Sequence, residues 1–236
     1  MLRIAVDGTA SAGKGALARG VAAALRLSYV DTGAMYRTVG LFGMRLGFVG
    51  PEGVAEPHEE SVLGLAELAQ SLTFDFIYDE QKDNPWRVFV AGEDVSNSLR
   101  TQEVGSAASF VSSIPEVRRA LFECQRRLAD QSSVIMDGRD IGTVVFPDAE
   151  LKLFMTASPE TRAARRYKEL LEKGEEVTYA EVLKNVEERD RIDSTRTISP
   201  LTKAKDAIEF DNSDMGLEEQ FERIYDFSQR VIAKYV

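Results

Sequence analysis

The segment with the clearest chemistry lies close to the amino terminus. Two glycines, Gly8 and Gly13, are separated by four residues, and Lys14 follows the second glycine directly. Glycines let the backbone fold so that several N–H groups converge on one anion, and a lysine adds a compact positive charge. The G-x-x-x-x-G-K spacing therefore predicts a loop that binds phosphates, provided that a strand precedes it and a helix follows.

The flanking segments meet that requirement. The apolar run Leu2–Val6 predicts a buried strand, and the alanine- and leucine-rich run Gly15–Leu27 predicts a helix whose positive end faces the anion. We expect this loop to hold ATP, with Lys14 at the β- and γ-phosphates; a glycine-rich turn without a ligand is the alternative. The loop residues are Gly8, Thr9, Ala10, Ser11, Ala12, Gly13, Lys14, Gly15 and Ala16.

The residue after the lysine departs from the general pattern. Loops of this kind carry Ser or Thr there to hold Mg²⁺, whereas this chain has Gly15 followed by Ala16. We therefore expect phosphates and water to hold Mg²⁺, without a direct protein ligand. Asp137, at the end of the apolar run Val134–Asp137, is the candidate for a contact through water; a turn-forming Asp-Gly is the alternative.

Composition limits the class of protein. The chain has 236 residues, of which 44% are hydrophobic, so one large domain with small insertions can form a core. A net charge of −10 argues against a general nucleic-acid binder. No apolar run reaches the roughly 18 residues of a membrane span. Because there is one cysteine, Cys124, and no room for a signal peptide before the first strand, we expect a cytoplasmic protein.

Strands and helices alternate along most of the chain, which predicts a parallel sheet covered by helices on both faces. Further strands are predicted at Ser28–Val30, Val134–Met136, Leu151–Met155 and Ile208–Phe210. Further helices are predicted at Ala34–Leu46, Pro115–Leu128 and Leu217–Lys234, and two more after the capping residues Ser158 and Thr178.

The middle of the chain differs from this pattern. The alternating run Phe74–Tyr78 and the β-rich run Trp86–Val90 predict an antiparallel hairpin, joined by the turn-rich segment Asp79–Pro85. We interpret the hairpin as part of an inserted subdomain. The single histidine, His58, lies in Glu56–Glu60, which we expect to be an exposed loop or a helix start.

Five blocks of sequence together resemble the bacterial cytidylate kinase family. They are Gly13–Gly15, Asp31–Arg37, Arg100–Val104, Asp137–Asp148, and Glu188–Asp190 with Asp193 and Arg196. The resemblance covers nearly the whole chain, although the family usually has Thr or Ser where this chain has Ala16. It implies a single P-loop kinase domain over residues 1–236, with a three-layer α/β fold and a parallel sheet. It also implies a small β-containing insert that binds the monophosphate, about residues 38–113, and a helical lid, about residues 159–196.

The resemblance implies ATP-dependent phosphorylation of CMP and dCMP. Thr32 would contact the acceptor sugar and Arg37 the acceptor phosphate. Asp140 would accept a hydrogen bond from the amino group of cytosine, and Arg118 and Ser109 would donate to the ring, so CMP should be preferred to UMP. The residues implied for CMP are Thr32, Tyr36, Arg37, Ser109, Arg118, Arg139, Asp140, Arg189, Asp193 and Arg196. The residues implied for catalysis are Lys14, Arg139, Arg189 and Arg196.

The resemblance implies that two sets of charged residues belong to the lid. Arg189, Asp193 and Arg196 are spaced by four and three residues, which on a helix places them on one face. By resemblance Arg189 and Asp193 contact the sugar and Arg196 the acceptor phosphate, and closure of the lid excludes water. Charged surface helices are the alternative. The same lid would carry Arg162, Arg165 and Arg166.

Two other functions stay open at this point. A related P-loop kinase would act on UMP, AMP, shikimate or dephospho-coenzyme A, and a binding module without turnover would be compatible with Ala16. A switch GTPase is disfavoured because the sequence contains neither Asn-Lys-x-Asp nor Asp-x-x-Gly. We expect small-molecule nucleotides as partners, no nucleic acid or membrane, and a monomer.

Overall fold

The computed structural model describes residues 1–50, 58–82 and 85–234, which form two compact units. The first unit consists of Met1–Tyr29 and Ser132–Val236, and the second is Val30–Gln131. Among the helices of these described residues, none combines the length and the apolar character needed to cross a bilayer.

The elements follow one another in the order that the sequence pattern predicts, with additions in the second unit. The strands are β1 (Arg3–Gly8), β2 (Ser28–Asp31), β3 (Phe74–Tyr78), β4 (Trp86–Val90), β5 (Glu93–Asp94), β6 (Val134–Gly138), β7 (Leu151–Thr156) and β8 (Ile208–Asp211). The helices are α1 (Lys14–Leu25), α2 (Thr32–Arg45), α3 (Glu59–Ser71), α4 (Gln102–Val111), α5 (Pro115–Ala129), α6 (Pro159–Glu172), α7 (Tyr179–Thr195) and α8 (Leu217–Ile232).

A five-stranded sheet in the order β2-β6-β1-β7-β8 is the core of the first unit. Strand β1 pairs in parallel with β6 on one side and β7 on the other, and β7 pairs in parallel with β8. Every residue of β6 is buried, and so is all of β1 after Arg3, which explains why both segments are continuous apolar runs rather than alternating ones. The predicted α/β fold with a parallel sheet is confirmed.

Helices α6 and α7 form a hairpin in the segment where the sequence predicts a lid. Ser158 caps α6 by accepting from the Thr161 N–H at 3.1 Å. Thr178 and Glu181 form the predicted capping box at the start of α7, because each side chain accepts from the other's N–H. The two helices pack through a buried cluster of Ala163, Leu170, Val182 and Val186. That this hairpin moves as a lid stays a prediction.

The second unit contains the predicted hairpin. Strands β3 and β4 pair antiparallel, with Phe74 opposite Val90 and Tyr78 opposite Trp86, and β5 adds a third strand. The Asp79 N–H donates to the Pro85 carbonyl at 2.7 Å, which closes the connection. Residues 83 and 84 of that connection lie outside the described part of the chain.

Two helices of the second unit, α3 and α4, were not predicted from the sequence. Helix α4 contains Gly105, two serines and two valines, all of which have a lower helix propensity than alanine. It is stabilised by burial of Val104, Ala107 and Val111, which recur at helical spacing. Helix α3 begins after His58, which is exposed, as expected; residues 56 and 57 lie outside the described chain.

One helical expectation is wrong. Helix α7 ends at Thr195, and Arg196 follows it with extended backbone angles, φ −61° and ψ 144°. Arg196 therefore does not share a helix face with Arg189 and Asp193. Its Nε donates to the Ser199 carbonyl at 2.6 Å, so contacts with the segment after α7 set its direction.

Replacing Gly8 by alanine should destabilise the fold by at least about 3 kcal/mol. A Cβ at Gly8 would lie 1.9 Å from the Met155 carbonyl oxygen, and its φ of +146° is rarely adopted by other residues. Urea unfolding followed by circular dichroism measures the change. Gly105→Ala is the control, because its Cβ would meet no atom within 4 Å and should stabilise α4 by up to about 1 kcal/mol. Equal effects of the two substitutions would contradict this explanation.

Candidate active site

The glycine-rich segment forms a tight loop between β1 and α1. Its backbone has positive φ at Gly8 (146°), Ser11 (59°) and Gly13 (88°), so the chain curls back repeatedly within a few residues. The Leu17 N–H donates to the Gly13 carbonyl at 3.2 Å, which begins the hydrogen-bond ladder of α1. The predicted strand–loop–helix arrangement is present, with the positive end of α1 at the loop.

Lys14 lies inside this loop, with 5% of its surface exposed. Its Nζ donates to the carbonyl of Gly8 at 2.9 Å and to that of Thr9 at 2.7 Å. Burial is the largest cause that lowers the pKa of Lys14 to about 7, and the positive charge of Arg139 acts in the same direction. Carboxylates oppose that lowering of the Lys14 pKa, namely Asp137, Asp193 and Asp7. The ammonium thus depends on nearby oxygen atoms to remain charged.

The outer side of the loop is held at Ala10 by an ion pair. Arg162 on α6 donates from Nη1 to the Ala10 carbonyl at 2.9 Å, and Asp190 on α7 accepts from the Ala10 N–H at 3.3 Å. Arg162 and Asp190 are themselves paired at 2.5 Å, and Arg162 is 2% exposed. Arg162 was expected as one of the lid arginines; its donors bind loop backbone, Asp190 and the Ala157 carbonyl.

A second buried side chain holds the loop at Ala12. Asn212, at the end of β8, donates from Nδ2 to the Ala12 carbonyl at 2.8 Å and to Oε1 of Gln220 at 2.8 Å. Arg165 donates from Nη1 to Oδ1 of Asn212 at 2.9 Å, so this lid arginine is also engaged. The loop is therefore fixed at both Ala10 and Ala12 by polar groups from elsewhere in the first unit.

Asp137 ends β6 beside the loop. It is 9% exposed, and its Oδ1 accepts a hydrogen bond from the Tyr29 hydroxyl at 2.9 Å. Magnesium in kinase sites is held by one or two carboxylates together with phosphates and water. One buried carboxylate with an adjacent hydroxyl fits that donor set, and Gly15 lies next to both groups. These residues therefore fit a Mg²⁺ ion whose ligands are mainly phosphate and water.

Asp7 fixes the backbone that carries Arg139 and Asp140. Its two carboxylate oxygens accept from the N–H groups of Ile141 at 2.8 Å and Gly142 at 2.7 Å, at the start of a π-helical turn. Burial raises the pKa of Asp7 to about 6, although the two N–H donors act in the opposite direction. Sequence reasoning missed this role because Asp7 was interpreted only as the end of a strand.

Arg139 and Asp193 form the central ion pair of the predicted acceptor-phosphate residues. Arg139 Nε and Asp193 Oδ2 lie 2.7 Å apart, and Arg196 Nη1 lies 3.6 Å from Asp193 Oδ1. Burial alone would raise the pKa of Asp193, but Arg139, Arg196 and Arg189 outweigh it and hold that pKa below its ordinary value. Asp193 was expected to contact the sugar; in this structure its carboxylate binds arginines.

The second unit carries the other predicted residues for the acceptor. Asp31 accepts from the Ala34 N–H at 2.7 Å, which caps α2, and pairs with Arg37 at 2.9 Å. Thr32, at the first position of α2, is buried.

Arg118 and Ser109 lie on α5 and α4 of the same unit. The Arg118 guanidinium lies 5.5 Å from the centre of the Tyr36 ring and donates to the Ser112 carbonyl at 3.2 Å. Ser109 is half-buried and donates to the Gly105 carbonyl at 3.3 Å. Arg118 and Tyr36 are thus brought together, although they are far apart in sequence.

The predicted site residues therefore fall into two sets. The first unit holds the loop Gly8–Ala16 with Asp137, Arg139, Asp140, Arg189, Asp193 and Arg196. The second unit holds Thr32, Tyr36, Arg37, Ser109 and Arg118. The supporting residues Asp7, Tyr29, Arg162 and Asn212 gave no sequence signal for their contacts, because each contact joins segments that are distant along the chain.

Comparisons with known proteins show the family to which the chain belongs. A sequence model of the cytidylate kinase family matches residues 4–230. A cytidylate kinase of Flavobacterium johnsoniae is 45% identical over 231 residues, covering 98% of this chain and 97% of its own. A cytidylate kinase of Thermosipho melanesiensis is 46% identical over 222 residues and covers 94% of each chain. Among solved structures, shikimate kinase from Bacteroides thetaiotaomicron aligns over 97% of this chain and 98% of its own, with 11% identity and a TM-score of 0.46. Because the family match spans nearly the whole chain, this protein belongs to the cytidylate kinase family.

Proposed function

We propose that the protein transfers the γ-phosphoryl group of ATP to CMP and dCMP, forming ADP with CDP or dCDP. Membership of the cytidylate kinase family supports this activity. The observation that carries the proposal is the buried Lys14 ammonium, enclosed by a loop that ends β1 and opens α1. The cytoplasmic location, the monomeric state and the lack of nucleic-acid binding stay predictions of the sequence.

The loop is suited to the donor nucleotide. Its N–H groups and the positive end of α1 favour an anion, and Lys14 would exchange the carbonyls of Gly8 and Thr9 for phosphate oxygens. When bound, Mg²⁺ would supply further neutralisation of phosphate charge, and Asp137 is the residue that would hold it through water. Because the loop is fixed at Ala10 and Ala12, little rearrangement is needed when ATP binds.

The acceptor phosphate is proposed to bind arginines. Arg139 and Arg196, together with Arg189, carry the positive charge for it. Without substrate, Asp193 neutralises part of this charge. An oxygen of the acceptor phosphate attacks the γ-phosphorus while the bond from that phosphorus to the ADP oxygen breaks. Lys14 and the arginines stabilise the charge on the transferred group.

Selection of the base is proposed to rest on Asp140, Arg118 and Ser109. A carboxylate accepts from the amino group of cytosine but is repelled by the carbonyl oxygen that uracil carries at that position. Arg118 and Ser109 offer donors to the ring nitrogen and carbonyl of cytosine. A mismatch of buried polar groups costs about 1–3 kcal/mol, which gives a roughly tenfold to hundredfold preference for CMP.

A coupled assay with ATP and a panel of monophosphates tests the proposed function. We expect turnover of CMP and dCMP well above that of UMP and AMP. Lys14→Met should lower kcat/KM by about 10³-fold or more, because a neutral side chain cannot stabilise the transferred phosphoryl group. Faster turnover of AMP or of a non-nucleotide would indicate a related kinase. Nucleotide binding without turnover would indicate a binding module.

Replacing Asp140 by asparagine should reduce the preference for CMP over UMP by about tenfold to hundredfold, measured as the ratio of the two kcat/KM values. The amide can donate to uracil as well as accept from cytosine. Asp148→Asn is the control, since Asp148 is an exposed carboxylate paired with Arg3 at 3.1 Å. An unchanged ratio in Asp140→Asn would remove Asp140 from base selection.

Nucleotide binding should take up protons above pH 7. The pKa of Lys14 is about 7 before binding, and the negative charge of the phosphates should raise it. At pH 8 the nucleotide would therefore bind together with a proton, whereas at pH 6 Lys14 is already charged. Calorimetric titration of a non-hydrolysable ATP analogue, in buffers with different ionisation enthalpies, measures this uptake. Lys14→Arg stays charged at both pH values, so equal uptake in both proteins would contradict the assignment.

A further inference from the structure

The residue after Lys14 is the position where phosphate loops usually carry a hydroxyl for Mg²⁺. In this chain it is Gly15, and the three atoms nearest to a Cβ at that position are polar. A Cβ built on Gly15 would lie 3.2 Å from the Tyr29 hydroxyl oxygen and 3.6 Å from Asp137 Oδ2. Arg19 Nη1 lies 3.9 Å from the same point. A hydroxyl and a carboxylate therefore occupy the surroundings in which a serine or threonine side chain at position 15 would stand.

Tyr29 is held firmly in this position. It lies on β2 and is 3% exposed, and its hydroxyl donates to Asp137 Oδ1 at 2.9 Å. A hydroxyl that donates one hydrogen bond still has lone pairs with which to accept another. The Tyr29–Asp137 contact thus orients the carboxylate and places the hydroxyl oxygen next to Gly15.

We propose that the Tyr29 hydroxyl takes over the task of the hydroxyl that is missing from the phosphate loop. Tyr29 is a positioning residue: it orients Asp137 toward the water ligands of Mg²⁺ and adds an acceptor for those waters. This inference rests on the proposed magnesium-dependent transfer. It assigns to β2 a function that phosphate loops of the general pattern carry on α1.

Tyr29→Phe removes the hydroxyl and keeps the ring. We expect the complex with a non-hydrolysable ATP analogue to bind Mn²⁺ roughly tenfold or more weakly, measured by electron paramagnetic resonance of free Mn²⁺. Binding of the analogue without metal should stay within about twofold of the unsubstituted protein. Tyr225→Phe is the matched control, because the Tyr225 hydroxyl accepts from Gln229 Nε2 on the exposed side of α8. That substitution should leave Mn²⁺ affinity unchanged.

A reciprocal substitution separates this role from a merely structural one. Serine at position 15 is crowded while Tyr29 keeps its hydroxyl, since the Cβ would lie 3.2 Å from that oxygen. In Tyr29→Phe that oxygen is gone, so adding Gly15→Ser should return a hydroxyl to the site and restore most of the Mn²⁺ affinity. Gly15→Ser alone should give no gain. Failure of the double variant to restore affinity would overturn the proposal.

Other outcomes also decide the matter. Unchanged Mn²⁺ affinity in Tyr29→Phe, or an equal loss of analogue binding without metal, would overturn the role of Tyr29. If Tyr29→Phe does not fold, the NMR spectrum of the unsubstituted protein with ¹³C-labelled tyrosine is measured instead. Addition of Mn²⁺ with the analogue should broaden the Tyr29 signal and leave the Tyr225 signal sharp. A Tyr29 signal that stays sharp would overturn the proposal. Absence of any metal dependence in the unsubstituted enzyme would instead refute the proposed magnesium requirement, and this inference with it.

Discussion

The buried positive charge of Lys14 is the interaction on which the first unit depends. An ammonium group removed from water is costly unless oxygen atoms replace the lost hydration. In this structure the carbonyls of Gly8 and Thr9 do so at 2.9 and 2.7 Å, and the loop must curl tightly to bring them there. The low pKa of Lys14, about 7, shows how incomplete that replacement is. Phosphate oxygens would complete it, which is why a buried lysine is suited to bind a polyphosphate.

The loop keeps its shape because other elements hold it from outside. Arg162 and Asp190 bind the backbone of Ala10, and Asn212 binds the carbonyl of Ala12. Since Arg162 lies on α6 and Asp190 on α7, the helical hairpin is joined directly to the phosphate loop. Such fixed dipoles need little reorganisation during phosphoryl transfer, and preorganisation of this kind is a large part of enzymatic rate enhancement.

Local clusters of positive charge are compatible with an acidic chain because carboxylates are placed among them. Asp193 lies between Arg139 and Arg196, and its pKa is held low by these arginines despite burial. Repulsion among the arginines is thereby reduced while no substrate is bound. In the proposed mechanism, an incoming phosphate would compete with Asp193 for the same guanidinium groups, and the arginines would already be oriented when it arrives.

The sequence by itself determined the phosphate loop, the parallel sheet, the β3–β4 hairpin and the caps of α6 and α7, because these depend on residues that are close in sequence. It did not predict α3 and α4, since burial rather than intrinsic propensity stabilises α4, nor the end of α7 before Arg196. The contacts of Asp7, Tyr29, Arg162 and Asn212 were decided by the tertiary structure alone. Tyr29 and Asp137 are 108 residues apart in sequence, and Ala10 and Arg162 are 152 residues apart. Only strand pairing and helix packing bring such pairs within hydrogen-bond distance. Local patterns specify the elements, whereas long-range contacts specify which side chains meet.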